Sequence, residues 1–202
     1  MDFPSTERHT FNLWDSTKTV SRKYIDLSLK YNYIHTSKLF FHGNAFRIKS
    51  ITRLIIAMKS NSILDTIELS NWYIRDSDCP DEPRSFISGR NLNKEWADNY
   101  CGSFVVADLN FDGREDVAVF YDFPNMGAIY KFFIQTLDGK YRVQKFLSDS
   151  IGFFPSEFDK RNKILEFNAR SGLCGVVTKK YKYMDRSIEY KIISDKYTRI
   201  CK

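Results

Sequence analysis

Val105-Val106-Ala107-Asp108-Leu109-Asn110-Phe111-Asp112-Gly113-Arg114-Glu115-Asp116-Val117-Ala118-Val119 is the stretch whose reading decides the fold. Its flanks, Val105-Val106 and the run from Val117 to Tyr121, are β-branched, small or aromatic, which suits a buried pleated surface. Between them, oxygen-bearing side chains alternate with other types. Gly113 allows the sharp bend that returns the chain on itself, so the unit reads as strand, loop, strand.

Working outward, the same short-strand grammar repeats. Residues 54–58 and 63–69 flank the polar turn Lys59-Ser60-Asn61-Ser62. Residues 128–135 and 140–147 flank Thr136-Leu137-Asp138-Gly139, where Asp-Gly supplies the positive φ of a hairpin turn. Tyr130, Phe132 and Ile134 share one face by the two-residue period of a strand. Strands over 163–169, 176–183 and 187–193 follow, and in the last Ile188, Tyr190 and Ile192 alternate with Glu189 and Lys191 as in a half-exposed antiparallel strand. The one helix expected is short, over 92–99, with Trp96 as its anchor. Residues 76–91 read as loop from their prolines and acids. No Gly/Ser-rich linker divides the chain, and each half is small to stand alone. The expectation is a single all-β domain over 1–202, a β-propeller-like arrangement of short antiparallel hairpins with one short helix at most.

In the central loop Asp108, Asn110, Asp112 and Asp116 fall at positions one, three, five and nine, with Gly113 at six. A hard cation such as Ca²⁺ takes six to eight oxygens at about 2.3–2.6 Å. Alternate residues of a tight loop turn their oxygens inward, and the Arg114 carbonyl can fill position seven. Carboxylates gathered this closely are costly without a cation. The expected metal set is Asp108, Asn110, Asp112, Arg114 through its carbonyl, and Asp116, around one structural Ca²⁺. Position twelve, the bidentate Glu of an EF-hand, is Val119, and the flanks are strands, as in the calcium loops of propeller blades. An Asx-rich turn without metal is the plainer reading of the same residues. Glu115 is expected to point outward, with substitution as a metal ligand as its alternative.

The chain has 202 residues, 43% hydrophobic and 28% charged, a globular composition that excludes disordered and collagen-like classes. Its longest apolar run is Leu54-Ile55-Ile56-Ala57-Met58, against the roughly 20 residues a membrane helix needs, so no span is expected. The formal charge is +6 and uneven. Between Asn110 and Tyr130 four acids face Arg114 alone, whereas from Lys160 to Lys202 twelve Lys and Arg stand against Glu166, Asp185, Glu189 and Asp195. That basic run reads either as a solvated surface or as an attraction to an acidic partner, which speeds association and weakens with salt. No nucleic-acid motif accompanies it, so nucleic acid is not an expected partner. Cys79, Cys101, Cys174 and Cys201 lack CxxC spacing, and with three His in the chain zinc is not expected. Exported, the four would form two disulfides in one of three connectivities, of which Cys79–Cys101 with Cys174–Cys201 closes the shortest loops. In a cytosolic chain they would be free thiols.

The order of these elements resembles a family of periplasmic immunity and inhibitor proteins with FG-GAP-like or propeller-type calcium domains. The resemblance is carried by Asp108-Leu109-Asn110-Phe111-Asp112-Gly113, the hairpin over 129–147, Ser156-Glu157-Phe158-Asp159, the turn Phe158-Asp159-Lys160-Arg161-Asn162-Lys163 and the bend Arg170-Ser171-Gly172. It covers about 105–193. It implies a propeller-like fold, bound Ca²⁺, a periplasmic location and inhibition of peptidoglycan hydrolases delivered by bacterial secretion systems, through a loop inserted into the enzyme's cleft. Some lysozyme inhibitors present a Ser-Gly-x-x-Tyr bend there; in this chain Ser171-Gly172 leads to Gly175 in place of the Tyr. A chain of +6 suits an acidic or neutral hydrolase better than a basic one. A periplasmic location would make the chain a mature form with an added start Met, since no signal segment opens it.

Catalytic constellations are not compelling. The acids of 108–116 are explained by metal, no His lies in a GxSxG-like context, and Gly102 and Gly113 are too isolated for a phosphate loop. The chain is therefore expected not to be an enzyme but an immunity protein bound to a cell-wall-hydrolase effector. A calcium-dependent adhesion or carbohydrate-recognition module is the alternative. The candidate contact residues are Arg170, Ser171 and Gly172 at the bend, with Tyr121 and Phe123 on an aromatic loop that competes with it.

Overall fold

A computed structural model describes residues 16–24, 29–41, 47–74, 84–85, 104–122, 128–185 and 189–200. Among them, thirteen strands form three open sheets. The first is the antiparallel meander β1 (Ser16–Tyr24), β2 (Asn32–Phe41), β3 (Arg47–Ala57), β4 (Ile63–Ile74). The second runs β5 (Arg84–Ser85), β6 (Phe104–Ala107), β7 (Asp116–Asp122), β8 (Ile129–Gln135), β9 (Tyr141–Val143), with β5 parallel to β6 and the rest antiparallel. The third is the antiparallel meander β10 (Glu157–Asp159), β11 (Ile164–Ser171), β12 (Gly175–Met184), β13 (Glu189–Arg199).

The apolar character of Val105-Val106-Ala107 and Val117-Ala118-Val119 follows from their place in the middle. By the two-residue period, Val105, Ala107, Ala118, Phe120, Tyr130 and Phe132 face the third sheet, where they pack with Leu165, Phe167, Tyr181, Tyr183 and Tyr190. Phe104, Val106, Val117, Val119 and Phe133 face the first sheet and pack with Tyr33, Leu54, Ile56 and Ile67. A sheet covered on both faces needs apolar residues at every position rather than at alternate ones. The outer sheets each cover one face of it. Polar ties cross the first interface: Asn71 Nδ2 donates to the Phe120 carbonyl at 3.0 Å, and Asp65 accepts from the Tyr141 N–H at 2.7 Å.

The all-β, largely antiparallel expectation holds. No closed barrel or propeller ring forms among the described residues. The two hairpin turns form as read: Asn61 takes φ 67 between β3 and β4, and Gly139 takes φ 81 between β8 and β9. Three expectations are corrected. The strand read over 140–147 ends at Val143, and Phe146–Ile151 forms a π-helical turn whose closing bond runs from the Gly152 N–H to the Leu147 carbonyl at 2.7 Å. Its apolar pair serves packing rather than alternation: Leu147 is fully buried, and the Phe146 ring lies 5.3 Å from Tyr181 and 6.0 Å from Tyr190. The loop read over 76–91 contains β5, whose register with Val105 and Val106 adds a short parallel edge. The last strand runs on to Arg199, because its pairing with β12 continues to Gly175 opposite Arg199, an extension hidden by the lack of alternation over 194–199. The helix read over 92–99 lies outside the described residues.

Gly175, the first residue of β12, is required by a close approach. A Cβ there would meet the Ser171 carbonyl oxygen at 2.5 Å and the Tyr197 ring at 2.6 Å. Because one obstacle is backbone, the hairpin would have to open to relieve it. Gly175→Ala is expected to lower stability by about 1–3 kcal/mol, read as a fall in the thermal midpoint. A midpoint within a degree of wild type would contradict the close packing.

Candidate functional site

The loop between β6 and β7 is drawn tight by its own side chains. Asp108 accepts from the Asp112 N–H at 2.9 Å and from the Gly113 N–H at 3.1 Å. Asn110 Oδ1 accepts from the same Asp112 N–H at 3.3 Å, and its Nδ2 donates to Asp112 Oδ2 at 2.6 Å. Phe111 and Gly113 take φ 60 and φ 82, which turns the chain sharply enough for these contacts. The Arg114 guanidinium pairs with Asp112 and, through Nε, donates to the Gln135 carbonyl at 3.0 Å. The oxygens of Asp108 and Asn110 thus converge on one point.

Asp116 does something else. It is fully buried, and its two oxygens accept from the Leu109 N–H at 2.9 Å and the Gln135 N–H at 2.8 Å. It ties the loop to β8. Burial pushes its carboxyl well above the usual range, against the pull of those two N–H groups. Burial also raises Asp108, opposed by Gly113 and Asp112.

Among the described residues, no three His, Cys, Asp or Glu side chains form a group that could hold a metal ion. The loop's donor set is of another kind, two outer carboxylates and one amide with a carbonyl. Each carboxylate oxygen has two lone pairs, so the Asp108 oxygens, with one N–H bond each, have room for a second contact, whereas Asp112 Oδ2 already accepts from Asn110 and Arg114. Asp108 and Asn110 are hard oxygen donors, and both turn an oxygen toward the Asp112 N–H.

Glu115, expected outside, is buried. Its carboxylate accepts from the Lys30 N–H and from the Tyr33 hydroxyl at 2.8 Å, and its carbonyl accepts from the Tyr141 hydroxyl at 2.9 Å. The strand period explains the difference: one position before Asp116, it faces the first sheet. Burial raises its carboxyl, opposed by those donors, and burial likewise raises Tyr33 and Tyr141. Sequence reasoning gave no signal for this, since a Glu in an acid-rich loop looks solvated.

The expected contact residues are scattered. Tyr121 stands near the far end of β7 from Asp116, its ring 5.0 Å from the Lys131 ammonium; Phe123 lies outside the described residues. The bend read at 170–173 is shorter than expected, because β11 pairs with β12 as far as Ser171 opposite Gly175. Arg170 and Ser171 are therefore strand residues, and Gly172, at φ 69, opens the turn. Its apex is Leu173, 99% exposed, which sequence reasoning did not single out. Cys174 follows and is disulfide-bonded; the other three cysteines lie outside the described residues. Its carbonyl accepts from the Ile200 N–H at 2.8 Å. Beside this hairpin, Phe167, Ala169, Val177 and Tyr181 face Ile151 and Phe153 across an apolar cleft of about 200 Å³.

Compared with protein-family models and with curated proteins, the chain matches none. Among solved structures it is similar to one described as the structure of a Xanthomonas type IV secretion system related protein, with a TM-score of 0.57 and 16% identity, over 90% of this chain and 82% of that one. At that identity the likeness is one of fold.

Proposed function

We propose that this chain is a non-enzymatic immunity protein that binds and occludes a peptidoglycan-hydrolase effector of a bacterial secretion system. The observation that carries the reading is the fold shared over 90% of the chain with a secretion-system-related protein. Occlusion calls for a protruding, stiff element, since a floppy one loses conformational entropy on insertion. The β11–β12 hairpin supplies one. Leu173 is exposed at its apex, while the close packing at Gly175 and the disulfide at Cys174 brace its exit. A periplasmic location belongs to the proposal, and the disulfide supports it, because such bonds persist in oxidising compartments.

The test is hydrolysis of purified peptidoglycan by muramidase, amidase and peptidase effectors of bacterial secretion systems, with and without the protein. Inhibition is expected, and Leu173→Asp should weaken it tenfold or more while leaving the thermal midpoint unchanged, as for an anchor at the centre of an interface. Failure to inhibit muramidase, amidase and peptidase effectors alike would overturn the reading.

The proposal includes one Ca²⁺, which Asp108, Asn110, Asp112 and the Arg114 carbonyl would hold, with Asp116 anchoring the loop to β8 from the interior. Bound there, the ion would neutralise the clustered carboxylates and stiffen the loop. A ligand that binds only the native state stabilises it by about 2.7 kcal/mol at a hundredfold excess over its dissociation constant. Calcium should therefore raise the thermal midpoint, chelator should reverse the rise, and Asp112→Ala should abolish the response. Identical midpoints with millimolar calcium and with chelator would refute the site.

A further inference from the structure

β12 and β13 set two lysines face to face. In the register of the third sheet Lys182 lies directly opposite Lys191, and both are exposed. Tyr181, Tyr183 and Tyr190 are buried against the central sheet, so by the two-residue period Lys182 and Lys191 project from the outer face. Directly opposed residues of an antiparallel pair have Cβ atoms about 4.5–5.5 Å apart, and like charges there are destabilising. Elsewhere on this sheet ammonium groups meet carboxylates. Lys180 holds Glu166 at 2.7 Å, Lys163 holds Asp185 at 2.6 Å and Lys179 holds Asp195 at 3.3 Å. Lys182 and Lys191 have no such partner among the described residues. Farther along β13, Lys196 is exposed opposite Thr178 and extends the strip on the same face.

We propose that the outer face of the third sheet, centred on Lys182 and Lys191, is a docking surface for an acidic face of a partner protein. A carboxylate that reaches these directly opposed positions meets both ammonium groups at once, so the pair favours the bound state. The rest of the surface selects a protein over a polymer of phosphates. Glu157 and Glu189 stand on the same sheet, and a nucleic acid or anionic bilayer, with one sign of charge, would be repelled by them. A protein surface carries both signs and can answer both. Met184, Ile193 and Ile200, exposed by 40%, 48% and 59%, add apolar contact at the sheet's margin. The inference deepens the reading above by naming the partner's charge, and rests on it to that extent.

The test measures association of the inhibited hydrolase with the wild-type chain and with Lys182→Glu and Lys182→Glu/Lys191→Glu variants, across ionic strength. The single reversal should slow association severalfold and the double about tenfold, with the difference shrinking as salt rises. The single variant should melt no lower than wild type, because it replaces a like-charge pair by an opposite one. If wild type inhibits and both variants associate as fast at low salt, the surface inference fails while the immunity reading stands. If wild type inhibits no hydrolase, that reading fails, and the surface is then judged by poly-glutamate, a 20-base-pair DNA duplex and phosphatidylglycerol vesicles as probes. Lysine-dependent retention of poly-glutamate above the other two supports the inference. Preference for DNA or vesicles, or binding to none, overturns it.

Discussion

Asp116→Ala is expected to destabilise the chain by about 2–4 kcal/mol, since each buried donor left without an acceptor costs about 1–3 kcal/mol. The two donors are the Leu109 and Gln135 N–H groups, held at 2.9 and 2.8 Å by a carboxylate with no exposure to water. Relief of the buried charge offsets part of that loss. Asp116→Asn should cost roughly half as much, because the amide keeps one acceptor and sets its NH₂ against the other donor. The pH dependence supplies an independent readout. Burial holds the Asp116 carboxyl well above its ordinary value in the folded state, so the native chain binds this proton more tightly than the unfolded one. A group raised in this way contributes stability that is fully present below the unfolded pKa and lost as pH rises through the folded one. Asp108 and Glu115 are raised in the same sense. In chelator, the wild-type midpoint should therefore rise on moving from neutral to mildly acidic pH, and Asp116→Asn should blunt that rise. A flat wild-type profile, or an unchanged slope in the variant, would show that Asp116 is not the buried strut described. Saturating calcium should flatten the wild-type profile, since a cation favours the ionised carboxylate.

The sequence made the strands legible wherever one face is buried and the other wet, or where a turn announces itself. The turn at Lys59–Ser62 and the Asp138-Gly139 hairpin formed as read, because a polar break or an Asp-Gly pair fixes the local backbone. Tyr130 and Phe132 face the third sheet together, as their spacing required. Misreadings fell where the local pattern does not carry the deciding contact. Lys145-Phe146-Leu147 continues a strand by propensity, yet Phe146 and Leu147 bury more surface by turning back onto the third sheet as a π-type turn. The length of β13 was invisible because both faces of 194–199 are largely solvated, which leaves no period to read. At the candidate loop, the spacing of Asp108, Asn110 and Asp112 did predict mutual approach. The spacing also treated Asp116 as a fourth member, whereas its register at the start of β7 turns it into the interior. The fate of Glu115 depends on Tyr33 and Lys30, more than eighty residues away in sequence, and no local window contains that information.

Phe132 and Phe133, neighbours on β8, should fail in opposite directions when truncated. Phe132 is fully buried and faces the third sheet, its ring 6.4 Å from Phe154 and 6.5 Å from Tyr130. Phe133 is nearly buried and faces the first sheet with Tyr33, Leu54 and Tyr141. Removing either aromatic ring from a packed core costs about 3–5 kcal/mol, part lost transfer energy and part cavity. The full figure is expected for Phe132→Ala and the lower end for Phe133→Ala, since Phe133 retains some exposure. The location of the damage separates them more sharply than its size. Local opening follows the interface that has lost contacts. Amide exchange should therefore accelerate first in β11 and β12 for Phe132→Ala, and first in β2 and β3 for Phe133→Ala. A single core shared by all three sheets predicts overlapping exchange patterns for the two variants. Two distinct patterns from adjacent residues require a central sheet with a separate hydrophobic layer on each face, the arrangement that leaves the outer face of β12 and β13 free for a partner.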